Sequence, residues 1–223
     1  SSDLSTPTGK IGLNWTASRD HFFYAFASRG YKSGGVNEDG TTFKSERVTD
    51  YEMGWKGRFL NGAVRAELGA YYMRYENIQM QAYNLDTGIG TAVSNVTGVS
   101  TIKGIEAALN IKLGGVSIDT NLAYNDAKLG SLTTVAGYLL PDGGSGSLGP
   151  QCTTSITTSC FNYTPYQVNL SGARNPYSPE LTFNATIGYD IPLGSGTLRP
   201  TVTYTHTGEQ YASVFQTDGF YRL

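Results

Sequence analysis

Apolar and polar residues alternate one for one along most of this chain, and that period fixes what the chain can fold into. A period of two places successive side chains on opposite faces of an extended strand, whereas a helix needs a period near 3.6. In residues 10–18, Ile11, Leu13, Trp15 and Ala17 share one face, and Lys10, Gly12, Asn14, Thr16 and Ser18 share the other. In residues 64–72, Val64, Ala66, Leu68, Ala70 and Tyr72 oppose Arg65, Glu67, Gly69 and Tyr71. The same sorting recurs in residues 51–59, 105–113, 116–124, 181–191 and 198–204. Residues 21–29, HFFYAFASR, break the rule by being apolar on both faces at their start. Their aromatics and the turn before them still predict a strand. Pro200 removes a ladder donor and predicts a bulge or a strand start.

Short connections alternate with long ones. Arg19-Asp20, Asn61-Gly62, Gly114-Gly115 and Gly194-Ser195-Gly196 mark tight turns. Asn-Gly and Gly-Gly supply the positive φ angles that match strand twist. Between the tight turns lie polar loops at about residues 30–46, 83–101 and 130–177. The expectation is eight strands in four hairpins within one domain spanning residues 1–223, with tight turns at one end and long loops at the other. The Gly/Ser-rich run at 142–150 reads as the middle of a loop, because strands resume after it in the same phase.

Such strands build either a soluble sandwich or a membrane barrel. The apolar runs fall far short of the ~18 residues of a spanning helix, and no stretch reads as a signal peptide. Charged residues make up 15% of the chain, against about 25% in soluble domains. The alternating segments reach the ~9–11 residues of a tilted membrane strand. Charges of both signs are confined to one face, as a barrel requires, because a lipid-facing charge costs about 2–4 kcal/mol at the midplane. Trp15, Trp55, Phe59, Tyr72 and Tyr124 stand near segment ends, where an aromatic girdle lies. The fold class is therefore all-β, an antiparallel up-and-down transmembrane β-barrel. A net charge of −2 gives no reason to expect a nucleic-acid partner.

Specific words in the chain carry a family resemblance. FYAFASRGYKSGGVN (residues 23–37) resembles a hairpin arm and loop start of TonB-dependent outer-membrane receptors. ERVTDYEMGWKGRFLNGAVRAELGAYYMRYENIQM (46–80) is similar to the family in its Tyr-Glu-x-Gly-x-Lys, tight turn and Tyr-Tyr strand. NVTGVSTIKGIEAAL (95–109) and SPELTFNATIGYDIPL (178–193) look like two further strands of that family. The resemblance implies about eight strands of a roughly 22-stranded barrel with a plugged lumen. It implies a bacterial outer-membrane location and import of a scarce solute, foremost a ferric siderophore. Implied partners are outer-membrane lipid, the receptor's own plug and remaining strands, and the TonB complex acting through the plug. Plug, TonB-contact segment and closing strand are not recognisable here. GFYRL (219–223) reads as the lead-in to a further strand, so the chain is expected to be an internal piece of the barrel's C-terminal half. The rival readings are a complete eight-stranded barrel with a structural or adhesive role, and a secreted carbohydrate-binding or glycosidase domain.

Candidate sites are few. Cys152 and Cys160 share the longest loop and predict a disulfide. Free thiols and a metal site are the alternatives, and no histidine is near. His21 and His206 stand apart from any nucleophile, so neither an enzyme nor a cofactor is expected. Glu52, Glu67, Glu106, Asp119 and Asp190 lie on polar faces. They are expected to pair with Lys56, Arg58, Arg65, Lys112 or the plug, in preference to forming a glycosidase pair. Ligand contact is assigned to Tyr31, Lys32, Tyr83, Tyr138, Phe161, Tyr163 and Tyr166, which are loop-borne and aromatic or basic. The alternative for these aromatics is packing of the loops against one another. Residues 130–170 contain no lysine or arginine, which disfavours anion binding by the largest loop.

Overall fold

The structure is a computed structural model, and it describes residues 6–83, 91–146, 148–153 and 159–216. The expected lead-in strand at 219–223 lies outside the described residues. Eight long strands run β1 (Gly9–Thr16), β2 (His21–Lys32), β3 (Glu46–Phe59), β4 (Val64–Glu76), β5 (Val99–Leu113), β6 (Val116–Lys128), β7 (Leu181–Tyr189) and β8 (Thr201–Thr207). They form one antiparallel sheet in chain order. Among the described residues there is no α-helix, only short 3₁₀ turns.

The tight turns follow their residues. Leu60, Asn61 and Gly62 take left-handed φ values of 51°, 57° and 87°, and Gly114 and Gly194 take 58° and 56°. Asn and Gly bear this conformation at least cost, while Leu60 is carried into it by the hairpin. Pro200 immediately precedes β8. Below it a small separate hairpin, Ile191–Leu193 with Gly196–Leu198, continues β7 and β8 outside the main sheet.

Register fixes the two faces. Ala25, Met53, Ala70, Ile105, Tyr124 and Leu181 form one row of partners across β2 to β7. Phe23, Trp55, Leu68, Ala107, Leu122 and Phe183 form the next row down. This apolar face is exposed: Ile11 is 77% and Leu13 78% accessible. A soluble sandwich would bury it against a second sheet, and none is present among the described residues. The opposite face carries Glu52, Lys56, Glu67, Glu106, Asp119 and Asn184.

Four strands extend beyond the clear alternation. β3 begins at Glu46, β4 ends at Glu76, β5 begins at Val99 and β6 ends at Lys128. Past Tyr51, Tyr72, Ile105 and Tyr124 the sorting inverts. Outward positions become Arg29, Arg47, Arg74, Lys103 and Lys128, and inward positions become Val48, Met73, Tyr75, Ile102 and Ala127. This inversion is what a sheet emerging from lipid would show, with its outer face turned to water and headgroups. Its inner face lies towards the loops.

Those loops hold the buried core. Val96, Leu129, Leu132 and Leu170 form one cluster, joined by Ile78, Met80 and Val168. Val135, Leu140 and Tyr163 form a second. Short strand pairs brace them, Gln79–Tyr83 with Thr91–Asn95 and Thr133–Val135 with Gln167–Asn169.

Candidate functional site

Two surfaces bear on function, the inner wall and the cap above it. On the wall, the Tyr24 hydroxyl donates to Glu52 Oε1 at 2.7 Å. Lys56 Nζ meets Glu67 Oε2 at 2.8 Å, and the Tyr71 hydroxyl donates to Asn125 Oδ1 at 3.2 Å. Each tyrosine lies against a glycine of the neighbouring strand: a β-carbon at Gly54 would strike the Tyr24 ring, and one at Gly104 both the Tyr124 carbonyl and the Tyr71 hydroxyl. Lys10 sits 3.3 Å from the centre of the Phe26 ring. Towards β7 and β8 the wall becomes neutral. There Asn184 Nδ2 donates to Thr205 Oγ1 at 2.8 Å, and Thr186 and Thr203 share a bond of 2.9 Å.

Four of the five carboxylates expected on polar faces enter local contacts, Glu52 through Tyr24 and the others with neighbouring side chains. Glu67 meets Lys56, Asp119 accepts from Asn110 at 2.9 Å, and Asp190 is held by Arg199. Arg199 keeps the Asp190 carboxyl below the ordinary carboxylate range. His21 Nδ1 accepts from the Trp55 indole at 3.3 Å on the outward face, and His206 lies within β8. Among the described residues, no three His, Cys, Asp or Glu side chains gather as a metal site would require.

The cap brings four of the loop aromatics together. Tyr163 is 0% exposed. Its hydroxyl donates to the Gly149 carbonyl at 2.7 Å and lies 3.4 Å from that of Tyr83. Phe161 meets its ring edge-on at 5.0 Å, and Tyr166 stacks on Phe161 at 5.6 Å. Burial and the Tyr163 hydroxyl push the Tyr83 phenol well above its usual pKa. Cys152 and Cys160 are joined, with Cα atoms 4.9 Å apart. Cys152 N donates to the Phe161 carbonyl at 3.1 Å, so the bridge sits beside the aromatic cluster.

The other candidates stand apart. Tyr138 packs edge-on against Phe215 at 5.7 Å and keeps an exposed face. Lys32 ends β2 on the inward side opposite Glu46, and Tyr31 pairs with Arg47 on the outward side. Asn37 escaped the sequence reading. It bonds the Val93 carbonyl and amide at 3.0 and 2.9 Å, tying the first long loop to the second. A lone loop Asn between Val36 and Glu38 gives no sequence signal for this.

The family model for TonB dependent receptor-like β-barrels matches residues 1–223. Solved structures are similar as well. The ferric yersiniabactin uptake receptor FyuA from Yersinia pestis aligns at TM-score 0.63 and 17% identity, over 93% of this chain and 26% of that one. The siderophore receptor PiuA from Acinetobacter baumannii aligns at 0.61 and 16%, over 94% and 27%. BauA, the ferric preacinetobactin receptor from Acinetobacter baumannii, aligns at 0.60 and 16%, over 93% and 26%. The chain thus spans about a quarter of the solved receptors it matches. Its ordered strands, outward apolar band and family match give one conclusion: the chain belongs to the TonB-dependent receptor β-barrels of the bacterial outer membrane.

Proposed function

We propose that this chain forms wall and outer cap of a receptor that imports a ferric siderophore across the outer membrane with TonB-coupled energy. The observation that carries the proposal is an exposed apolar band topped, at the long-loop rim only, by a folded cap with its own core. The similar receptors are named for ferric siderophores or their uptake. In this reading the remaining strands join the free edges of β1 and β8, because lipid does not tolerate unpaired backbone. The plug meets the wall at Glu52, Glu67 and Glu106. Tyr31, Lys32, Tyr83, Tyr138, Phe161 and Tyr166 are the cap and rim positions proposed to lie along the ligand's path, with Tyr163 as the packing centre beneath them. The role is transport, not catalysis.

The open edges weigh against a small closed barrel. The exposed apolar face weighs against a secreted sugar-binding domain. The test is uptake of radiolabelled ferric catecholate and hydroxamate siderophores by iron-starved cells. Deleting the gene is expected to abolish uptake of one of them, and deleting TonB to have the same effect. Unchanged uptake of both on gene deletion, or uptake that persists without TonB, overturns the reading.

A further inference from the structure

Charge changes sign along this chain's wall. The turn-end segments 17–20, 58–65, 112–117 and 189–200 carry Arg19, Arg58, Arg65, Lys112 and Arg199 against Asp20 and Asp190. The loop segments 33–45, 77–98, 129–180 and 208–218 carry two cations, Lys44 and Arg174, against seven acids. Arg174 Nη2 is answered by Glu180 Oε1 at 2.8 Å. Lys44 shares its loop with Glu38 and Asp39. Lys32, at the inner rim, is the register partner of Glu46. The remaining rim cations, among them Arg47, Arg74 and Lys103, stand on the outward face, away from the lumen.

Inside the cap the contrast sharpens. Asp142 is the only charged residue in the sequence between Leu129 and Ala173. Gly144 and Gly146, with φ of 80° and 85°, present backbone amides of the kind that form anion-binding nests. Asp142 fills that place itself. Its carboxylate accepts from both amides at 3.0 Å and from the Ser145 hydroxyl at 3.1 Å. Burial, the Tyr163 hydroxyl and the Asp142 charge together raise the Tyr83 phenol, so it stays a neutral donor. Beside Phe161 and Tyr166 the exposed groups are Asn162, Thr164 and Gln167. The cap thus offers rings, amides and hydroxyls under a negative local field.

This matters for a ferric ligand, because a catecholate gives iron two negative oxygens and a hydroxamate one. A tris-catecholate complex is therefore a strong anion, and a tris-hydroxamate complex is neutral. Like charges brought together reject a partner and slow its approach. Resting on the siderophore reading above, we propose that the cap selects ferric complexes without net negative charge, of the hydroxamate rather than the catecholate type. The Phe161 and Tyr166 rings and the neutral groups around them supply the contact, and Asp142 supplies the discrimination.

The test is equilibrium binding to outer membranes holding the full receptor, at low ionic strength, with membranes from the deletion strain as blank. The probes are radiolabelled ferric complexes of a trihydroxamate and of a tricatecholate. The parent is expected to bind the hydroxamate complex about tenfold more tightly. Thr164→Lys with Gln167→Lys adds two cations beside the rings. It is expected to raise catecholate affinity about tenfold and to leave hydroxamate affinity unchanged. Asp142→Asn is expected to shift selectivity the same way by a smaller factor, and it serves if the double variant fails to fold. Heat-dependent gel mobility reports folding. Equal binding of the two complexes by the parent, or tighter binding of the catecholate, overturns the proposal and leaves the siderophore reading standing. So does a folded lysine variant whose catecholate affinity stays at the parent's value. Binding of neither complex overturns the siderophore reading, and this proposal with it.

Discussion

Leu68 in the middle of the sheet is 49% exposed, while Tyr163 in the cap is 0% exposed. Within its apolar band the sheet turns most of its large apolar side chains outward and keeps charge and amide groups within. The cap does the reverse, burying Val96, Leu129, Val135, Leu140 and Tyr163 under polar loops. Lipid does for the strands what a core does for the cap. The two regions should therefore fail independently and in response to different substitutions.

The largest separation is expected from Tyr163→Ala, which removes the centre of the second loop cluster and costs about 3–5 kcal/mol. Hydrogen exchange should rise in Thr133–Val135 and Gln167–Asn169 and stay unchanged in β4 to β6. Rapid exchange in both regions would show that cap and wall are one cooperative unit. Leu68→Arg attacks the wall instead. It is expected to cost about 2–4 kcal/mol near the midplane, read from urea unfolding in lipid vesicles, with cap exchange unaffected. A neutral result would mean that Leu68 does not face lipid.

Reduction of Cys152–Cys160, which are eight positions apart, is expected to cost the cap about 2–3 kcal/mol from loop closure. Cap proteolysis should accelerate under reductant, and the sheet's heat-dependent gel mobility should persist. The smallest effect belongs to the turn end. Arg199 lowers the Asp190 pKa, so this pair stabilises its hairpin above the ordinary carboxylate range. That stability is lost as pH falls through the lowered value. Exchange in Ile191–Leu193 should rise only below that range, and Arg199→Gln should abolish the pH step. A step that survives in the variant would point to another carboxylate.

The wall was legible in the sequence because lipid on one side and polar groups on the other impose strict alternation. β2 resisted this reading for a local reason. Phe22, Tyr24 and Phe26 line its inner face in ring contact at 6.4 Å, and Tyr24 finds Glu52 for its hydroxyl. An inner wall tolerates aromatics that a wet face would not. Strand ends were missed for the opposite reason. Beyond Tyr72 and Tyr51 the phase inverts, with Arg74 outward and Met73 inward, and a search for one constant apolar face stops there. The meeting of Tyr83 with Phe161, Tyr163 and Tyr166 had no periodic signal, because it joins irregular segments through contacts distant in sequence. Loop position alone grouped Tyr31 and Tyr138 with them, and the fold separates both from that cluster.

Every long strand here pairs only with its neighbours in sequence. Among the described residues no strand crosses another, so the wall is a ribbon folded back and forth. A whole hairpin inserted at any tight turn, or removed there, leaves each remaining strand pointing the same way with the same face to lipid. A single strand would reverse the direction of everything after it. Wall circumference can therefore change in steps of two strands through gene duplication or loss, while cap loops diverge separately. A lineage built this way can alter barrel circumference and cap shape as independent traits.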